Sequence, residues 1–445
     1  MEDIGLPRIR DDLIEPNDDC DLMEILKKYC DEIGKEDGCI VRFRAPFSLL
    51  PKHDARGDAI TIIVDYLSQR GIPLWASHQI SRSIADTYSS DLRTGFVPFV
   101  EDVMETIDAQ RWYRHIFKSL NEYLMKIVSG EVDFPKKPES WDNIPFSHCA
   151  QRNVRSKMED KDIVLPTLSV AEPTKHDVIK DDAFFAVFDG HNGVDCASYA
   201  SSHFVNCLLD DTYYCDDDVE EVLRNAFDKL DKRIRARCRV NVIIIYDISN
   251  FYNIMIEVSR IRGGAATVCA LIRGRKKLCV AWCGDAAVAV LYPSSVKTLS
   301  TPHLPSNPEE ARRVEEAGGV IVQLHGDLRV NGVLNITRSI GELDGRPMIS
   351  HMPDTLSFDL DGSEYLLILA CDGVWDVFDE EEVYNHIRNF VLTSKPCDYK
   401  NLGQYIVSRA KDAGSTDNLT AICAFLRPIN DLWELLTNQE KVPAQ

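Results

Sequence analysis

The sequence predicts an α+β protein: antiparallel sheets packed together with helices outside, preceded by an α-helical N-terminal domain. Three observations lead there. From Asp21 to about Gly130 the apolar residues recur at helical spacing. Beyond the Pro- and Lys-rich stretch Phe134-Pro135-Lys136-Lys137-Pro138-Glu139 the pattern changes to many short β-rich runs. The helical runs that follow come after blocks of strands rather than alternating with them, which argues for antiparallel pairing.

The elements follow in order. Residues 1–18 are polar, contain Pro7 and Pro16, and are expected to lack fixed structure. Leu22, Ile25, Leu26 and Tyr29 fall on one helical face, as do Val103, Ile107, Trp112 and Ile116, continuing through Phe117, Leu120, Leu124 and Ile127. A helical domain over 19–133 is expected, and since it carries no ligand constellation, its use is read as partner binding through residues 20–130. Residues 134–144 read as a linker, 145–428 as the second domain and 429–445 as a C-terminal tail. Strands are expected at 183–188, 267–272, 277–283, 287–292, 332–336, 365–371 and 419–426. Helices are expected at 194–209, 218–236, 308–317, 379–393 and 399–413. Asn307, Pro308 and Glu310 supply an N-cap, a first-turn proline and the partner of a capping box. The apolar segment 239–261 fits a strand pair, an extended helix or an insertion equally well.

At 445 residues the chain has room for two or three domains. Its 50 basic against 71 acidic residues give a net charge of −21, which argues against nucleic acid or an anionic membrane as the main partner. The 14 cysteines show no paired spacing and the start Met1-Glu2-Asp3-Ile4 resembles no secretory signal, so reduced thiols in a cytoplasmic or nuclear setting are expected. No apolar run approaches the ~20 residues that would insert across a bilayer.

The chemistry gathers at strand ends. Ala183-Phe184-Phe185-Ala186-Val187-Phe188 runs into Asp189-Gly190-His191, and Tyr365 to Cys371 runs into Asp372-Gly373. Asp-Gly is a common turn dipeptide, and each pair alone fits a turn. A carboxylate at the mouth of a buried strand is costly, however, unless something positive neutralises it. Glu159, Asp160, Asp285, Asp376 and Asp417 offer further carboxylates in turns and strand ends. Hard cations such as Mg²⁺ and Mn²⁺ need such oxygen ligands, and a shared carboxylate can hold two of them with an activated water between. Gly190 would let backbone come close. Arg155, four residues before Glu159, offers a fork for a phosphate. His191 could donate a proton to a leaving alkoxide, although a surface or capping histidine reads the same way.

Arg155 with Met158-Glu159-Asp160, then Phe184 to Gly193, Arg329-Val330-Asn331-Gly332, Leu369 to Asp376 and Gly414-Ser415-Thr416-Asp417-Asn418 resemble, in order, the motifs of the metal-dependent type 2C protein serine/threonine phosphatases. The resemblance covers roughly residues 145–428. It implies a central β-sandwich flanked by helices and two Mn²⁺ or Mg²⁺ ions, with a weaker third. It also implies that Asp189 bridges the two ions, that the Gly190 carbonyl binds one, and that Asp372 and Asp417 bind the other. Glu159 and Asp160 would orient waters, Asp285 and Asp376 would attend the third ion, Arg155 would hold phosphate and His191 would act as general acid. Phosphoproteins would be the substrates. Ala150 to Asn153, Thr301-Pro302-His303-Leu304-Pro305 and the helical extension are similar to the branch acting on calmodulin-dependent and p21-activated kinases. The chain departs from the pattern at Ala265-Ala266, Ala286-Ala287, Glu342 and Asn192. Two other readings stay open: a catalytically weak scaffold that recruits partners through its helices, and a small-molecule phosphomonoesterase.

Overall fold

The computed structural model describes residues 19–35, 49–89, 91, 106–172, 179–209, 218–238, 243–247, 252–256, 261, 263–324 and 326–440. Two compact units emerge: 1–138 with 237–260, and 139–236 with 261–445. The expectation for residues 1–18 lies outside the described residues.

The first unit holds helices Asp19–Lys35, Ala55–Ser68, Leu74–Tyr88 and Ala109–Ser129. Leu22, Leu26, Ile63, Leu67, Ile84, Trp112, Ile116, Leu120 and Leu124 are its dry centre. The last helix starts where the Asp108 side chain accepts from Arg111 N, and Gly130 ends it at φ +79°. The helical spacing read through Val103 and Ile107 needs correction. Val103 lies outside the described residues, and Ile107 sits in a strand, Thr106–Asp108, paired with Leu49–Pro51. The apolar segment 239–261 contains an antiparallel strand pair, Ile243–Asp247 with Tyr252–Ile256.

In the second unit one sheet has the order Ser295–Thr298, Ala287–Tyr292, Leu366–Ala370, Leu419–Phe425, Phe146–Gln151. The other has the order Asp354–Asp359, Lys277–Cys283, Gly264–Arg273, Ala183–His191, Lys161–Leu165, with Ile340–Gly341 added against Gly264 and Ala265. All the pairings are antiparallel. The sheets face each other, Leu366–Ala370 lying against Ala183–His191 and Gly264–Arg273. Both faces of the central strands are covered, so Leu366–Ala370 and Leu419–Phe425 are buried at every residue instead of alternating. Outside the first sheet lie helices Glu380–Thr393, Leu402–Asp412 and Ile429–Glu440. Outside the second, Phe204 of helix Asp195–Leu209 stacks on Phe184 and meets Phe227 of helix Val219–Cys238 edge-on.

Four local readings are corrected. Residues 332–336 form no strand, because Asn331 at φ +51° and Gly332 at φ +73° turn the chain there; the hairpin is Ile321–Leu324 with Asp327–Val330. The stretch read as a C-terminal tail carries a helix whose Leu432, Trp433 and Leu436 are buried in the core over the first sheet. The linker reading 134–144 includes the 3₁₀ turn Glu139–Asn143, which buries Trp141. Asn307 does cap its helix, accepting from Glu309 N, but Glu310 does not close a capping box. Its carboxylate turns inward and accepts from Arg338 at 2.6 and 3.0 Å, from Arg313 at 3.0 and 3.2 Å and from Thr337 at 2.6 Å.

Against the cost of burial, those donors hold the Glu310 carboxyl down at about 2. A depressed acid contributes stability that is present above its ordinary value and lost as pH falls toward the depressed one. Glu310→Gln is therefore expected to cost about 2–3 kcal/mol near neutrality. The difference from wild type should shrink between pH 4.5 and 2, followed by urea unfolding at several pH values.

Candidate active site

Strand and helix ends bring the acidic side chains together. Asp189 lies near the end of strand Ala183–His191 and Asp285 in the connection between Lys277–Cys283 and Ala287–Tyr292. Asp372 opens the short helix Asp372–Trp375 and Asp376 caps its end. Neither Asp-Gly pair is a hairpin turn: the first continues a strand, and the second starts a helix with Cys371 as N-cap. The turn reading fails at both places.

The Asp372 backbone N–H reaches Asp189 Oδ2 at 3.4 Å, and the Asp189, Cys371 and Asp372 donor atoms lie within 4.8 Å of one another. Asp160 is buried and accepts from Thr420 Oγ1 at 2.7 Å. Asn418 ties two motifs together: its Oδ1 accepts from Glu159 N at 2.7 Å while its amide donates to Arg152 O and Lys157 O. Asp417 accepts from Arg155 and, at 2.7 Å, from Asn418 N. Gly190 is closely approached by protein backbone as well: a Cβ there would stand 2.4 Å from the Glu159 carbonyl oxygen. Its bareness admits the Glu159 carbonyl, in the loop that leads into strand Lys161–Leu165.

Electrostatics unite the set. Burial, then Asp372, Asp160 and Asp285 in turn, lift the Asp189 carboxyl well above the usual range. Asp285 is pushed up to about 8 by burial and Asp372. Burial outweighs the Thr420 hydrogen bond and, with Asp372 and Asp417, takes Asp160 to about 7. Asp372 rises to about 6 through burial, with Asp376 and Asp417 adding to it. Asp376 is raised by burial and by Asp417. Six carboxyls thus repel one another, and among the described residues only Arg155 forms an ion pair with any of them. A set of hard oxygens that protein cations leave uncompensated fits divalent ions such as Mg²⁺ or Mn²⁺.

Of the sequence-derived candidates, Asp160, Asp189, Asp285, Asp372, Asp376 and Asp417 interact directly, and Arg155 joins them through Asp417. Glu159 is tied in through its backbone, by Asn418 and beside Gly190. His191 follows on the same strand and meets Glu342, Nε2 lying 3.1 Å from Oε2. Sequence reasoning missed three contributors. Thr420 reads in the sequence only as part of the strand expected at 419–426, and Asn418 only as the last residue of the Gly414–Asn418 motif, with no role given to its side chain. The Cys371 thiol, accepting from Thr420 N at 3.2 Å, was passed over as an apolar strand residue.

The protein phosphatase 2C pattern matches residues 144–419. Protein phosphatase fem-2 of Caenorhabditis elegans is 32% identical over 410 residues, covering 90% of this chain and 86% of that protein. Human protein phosphatase 1E is 31% identical over 86% of this chain, which spans only 47% of that longer protein. A solved structure described as a C. elegans sex determining protein superposes with a TM-score of 0.76 at 31% identity, covering 94% of this chain and 97% of that one. This chain belongs to the protein phosphatase 2C family, the metal-dependent serine/threonine phosphatases.

The raised carboxyls set an expectation for metal removal. An acid whose folded pKa is raised keeps its stability below the ordinary value and loses it as pH climbs through the raised one. In chelator the melting temperature is expected to fall from pH 4 toward pH 8, whereas Mn²⁺ at saturating concentration should restore it most at the upper end. Scanning calorimetry with and without chelator measures both curves, and Asp189→Asn should flatten the difference.

Proposed function

We propose that this chain hydrolyses phosphoserine and phosphothreonine in phosphoprotein substrates, with two Mg²⁺ or Mn²⁺ ions and no covalent phosphoenzyme. The observation that carries the reading is the meeting of Asp160, Asp189, Asp285, Asp372 and Asp417, from five separate segments, in one electrostatically coupled group. Asp189, the Gly190 carbonyl, Asp372 and Asp417 would hold the two ions. Asp285 and Asp376 would hold a weaker third. When bound, the ions offset the carboxylate charge, draw in the phosphate oxygens and activate water as the nucleophile.

The chain's own groups do the rest. Arg155 is half exposed, so its guanidinium can exchange Asp417 for two oxygens of a phosphate without leaving a buried orphan. Asp160, fixed by Thr420, and Glu159, fixed by Asn418, orient the attacking water. His191, at the end of the Asp189 strand, supplies a proton to the serine or threonine oxygen as it departs.

The likeness to fem-2 and to the sex determining protein supports a role in male sexual development, beside other feminisation proteins bound through residues 20–130. The acidic net charge and the lack of paired spacing among the cysteines support a cytoplasmic place of action, with nuclear entry open to it. Pull-down with the full chain, with and without substitutions on the helical surface, tests the partner reading.

Asp189→Asn and Asp372→Asn are each expected to lower Mn²⁺-dependent phosphopeptide hydrolysis by at least ~10³-fold, with the circular dichroism spectrum unchanged. Undiminished turnover in chelator would end the metal reading. No turnover in wild type under any divalent cation would favour the scaffold.

A further inference from the structure

We propose that Glu342 is the positioning residue of His191, holding the imidazole by Nε2 so that Nδ1 is the nitrogen presented to the departing oxygen. The inference rests on the proton-donor reading of His191 above and adds to it the group that aims the ring.

Four observations converge on that one imidazole. Glu342 Oε2 lies 3.1 Å from His191 Nε2, and both side chains are largely buried, 12% and 23% exposed. A ring bonded to a carboxylate at Nε2 keeps a proton there, so the proton that an imidazolium can give up is the one on Nδ1. Among the described residues nothing bonds Nδ1. Glu342 itself stands at φ +44° and ψ +53°, a left-handed conformation that a glutamate adopts only when its surroundings impose it. Those surroundings are explicit: Glu342 N donates to Gly263 O at 3.0 Å, Gly341 N to Asp231 Oδ1 at 3.3 Å, and Arg346 to Asp231 at 2.6 Å and to Gly341 O at 2.8 Å. Asp231 is 1% exposed, so the loop is pinned from the interior.

The ring is confined from the other side as well. A Cβ on Gly264 would lie 2.7 Å from His191 Nε2 and 2.9 Å from Cε1, so bare backbone backs the imidazole. Asn192, at φ +59°, follows the histidine and directs its amide to the same carboxylate. Left-handed backbone at Glu342 and at Asn192, the residue after His191, flanks this one hydrogen bond. In the chemical step the water oxygen bonds to phosphorus as the bond to the serine oxygen breaks; the electron pair of that bond passes to the serine oxygen, which takes the Nδ1 proton of the imidazolium and leaves a neutral ring. Nε2 keeps its hydrogen and its bond to Glu342 throughout.

The test compares two substrates on the full chain with Mn²⁺. A phosphoserine peptide leaves as an alkoxide and needs the proton; p-nitrophenyl phosphate has a good leaving group and needs it far less. Glu342→Ala is expected to lower kcat on the peptide by ~10-fold or more, with the loss on the aryl phosphate at least ~5-fold smaller and KM for the peptide within ~2-fold. Glu342→Gln, whose amide oxygen still accepts from Nε2, should recover most of the peptide rate. Adding Glu342→Ala to His191→Ala should cost nothing further, since the two act as one unit. Equal losses on both substrates from Glu342→Ala, a glutamine variant as poor as alanine, or additive losses in the double variant would each overturn the positioning role. If His191→Ala showed no preference between substrates, the proton-donor reading would fall and this proposal with it. A selective His191→Ala beside a silent Glu342→Ala would sink the positioning role alone.

Discussion

Negative charges do not gather at the edge of a buried sandwich unless the chain has no cheaper place for them or something positive is to join them. Asp160, Asp189, Asp285 and Asp372 each lose solvation by lying where they do, and neighbouring carboxylates raise all four further. That cost is borne by the apolar strands beneath. Phe184, Phe185, Phe188, Leu366, Leu367 and Leu369 are all essentially inaccessible, and burying a side chain of that size contributes ~1.5–3 kcal/mol. The acidic edge is a local liability of a large dry core, and the cation that relieves it becomes part of the fold's stability.

The edge is assembled by architecture more than by local geometry. Ala183–His191 and Leu366–Ala370 lie in different sheets, and the face-to-face packing brings the ends carrying Asp189 and Asp372 together. The Leu419–Phe425 strand pairs with Leu366–Ala370 and carries Thr420 to Asp160, while Asn418 just before it stitches the Arg155 loop. A strand slipped by one residue would turn these groups to the wrong face. The same logic extends to His191, whose ring is aimed by a loop that Asp231 and Arg346 pin from another helix and turn.

Much of this was legible in the chain and some was not. The long apolar runs 277–283, 287–292 and 419–425 announced themselves because both their faces are covered. The strands Phe146–Gln151, Ser295–Thr298 and Asp354–Asp359 escaped notice: they lie at sheet edges, where one side is open and polar residues are tolerated. Residues 332–336 misled because apolar content outweighed the Asn331-Gly332 turn. The C-terminal helix was missed because Leu432, Trp433 and Leu436 form too short a stripe to stand out without the sheet they cover.

The motif series alone determined the chemistry, because the residue types that hold hard cations and phosphate are few and their order along the chain is informative. It also determined that a helical unit precedes a β-rich one, but the continuous second domain read over 145–428 is corrected, because residues 237–260 fall with the first unit. Only the tertiary structure decided which carboxylates share one field, why Gly190 must be bare, that Glu310 faces inward to two arginines rather than capping its helix, and that Glu342 meets His191. Those facts are distances between residues up to 260 positions apart, as for Asp160 and Thr420, and pairing at that range is set by packing, which no local pattern encodes.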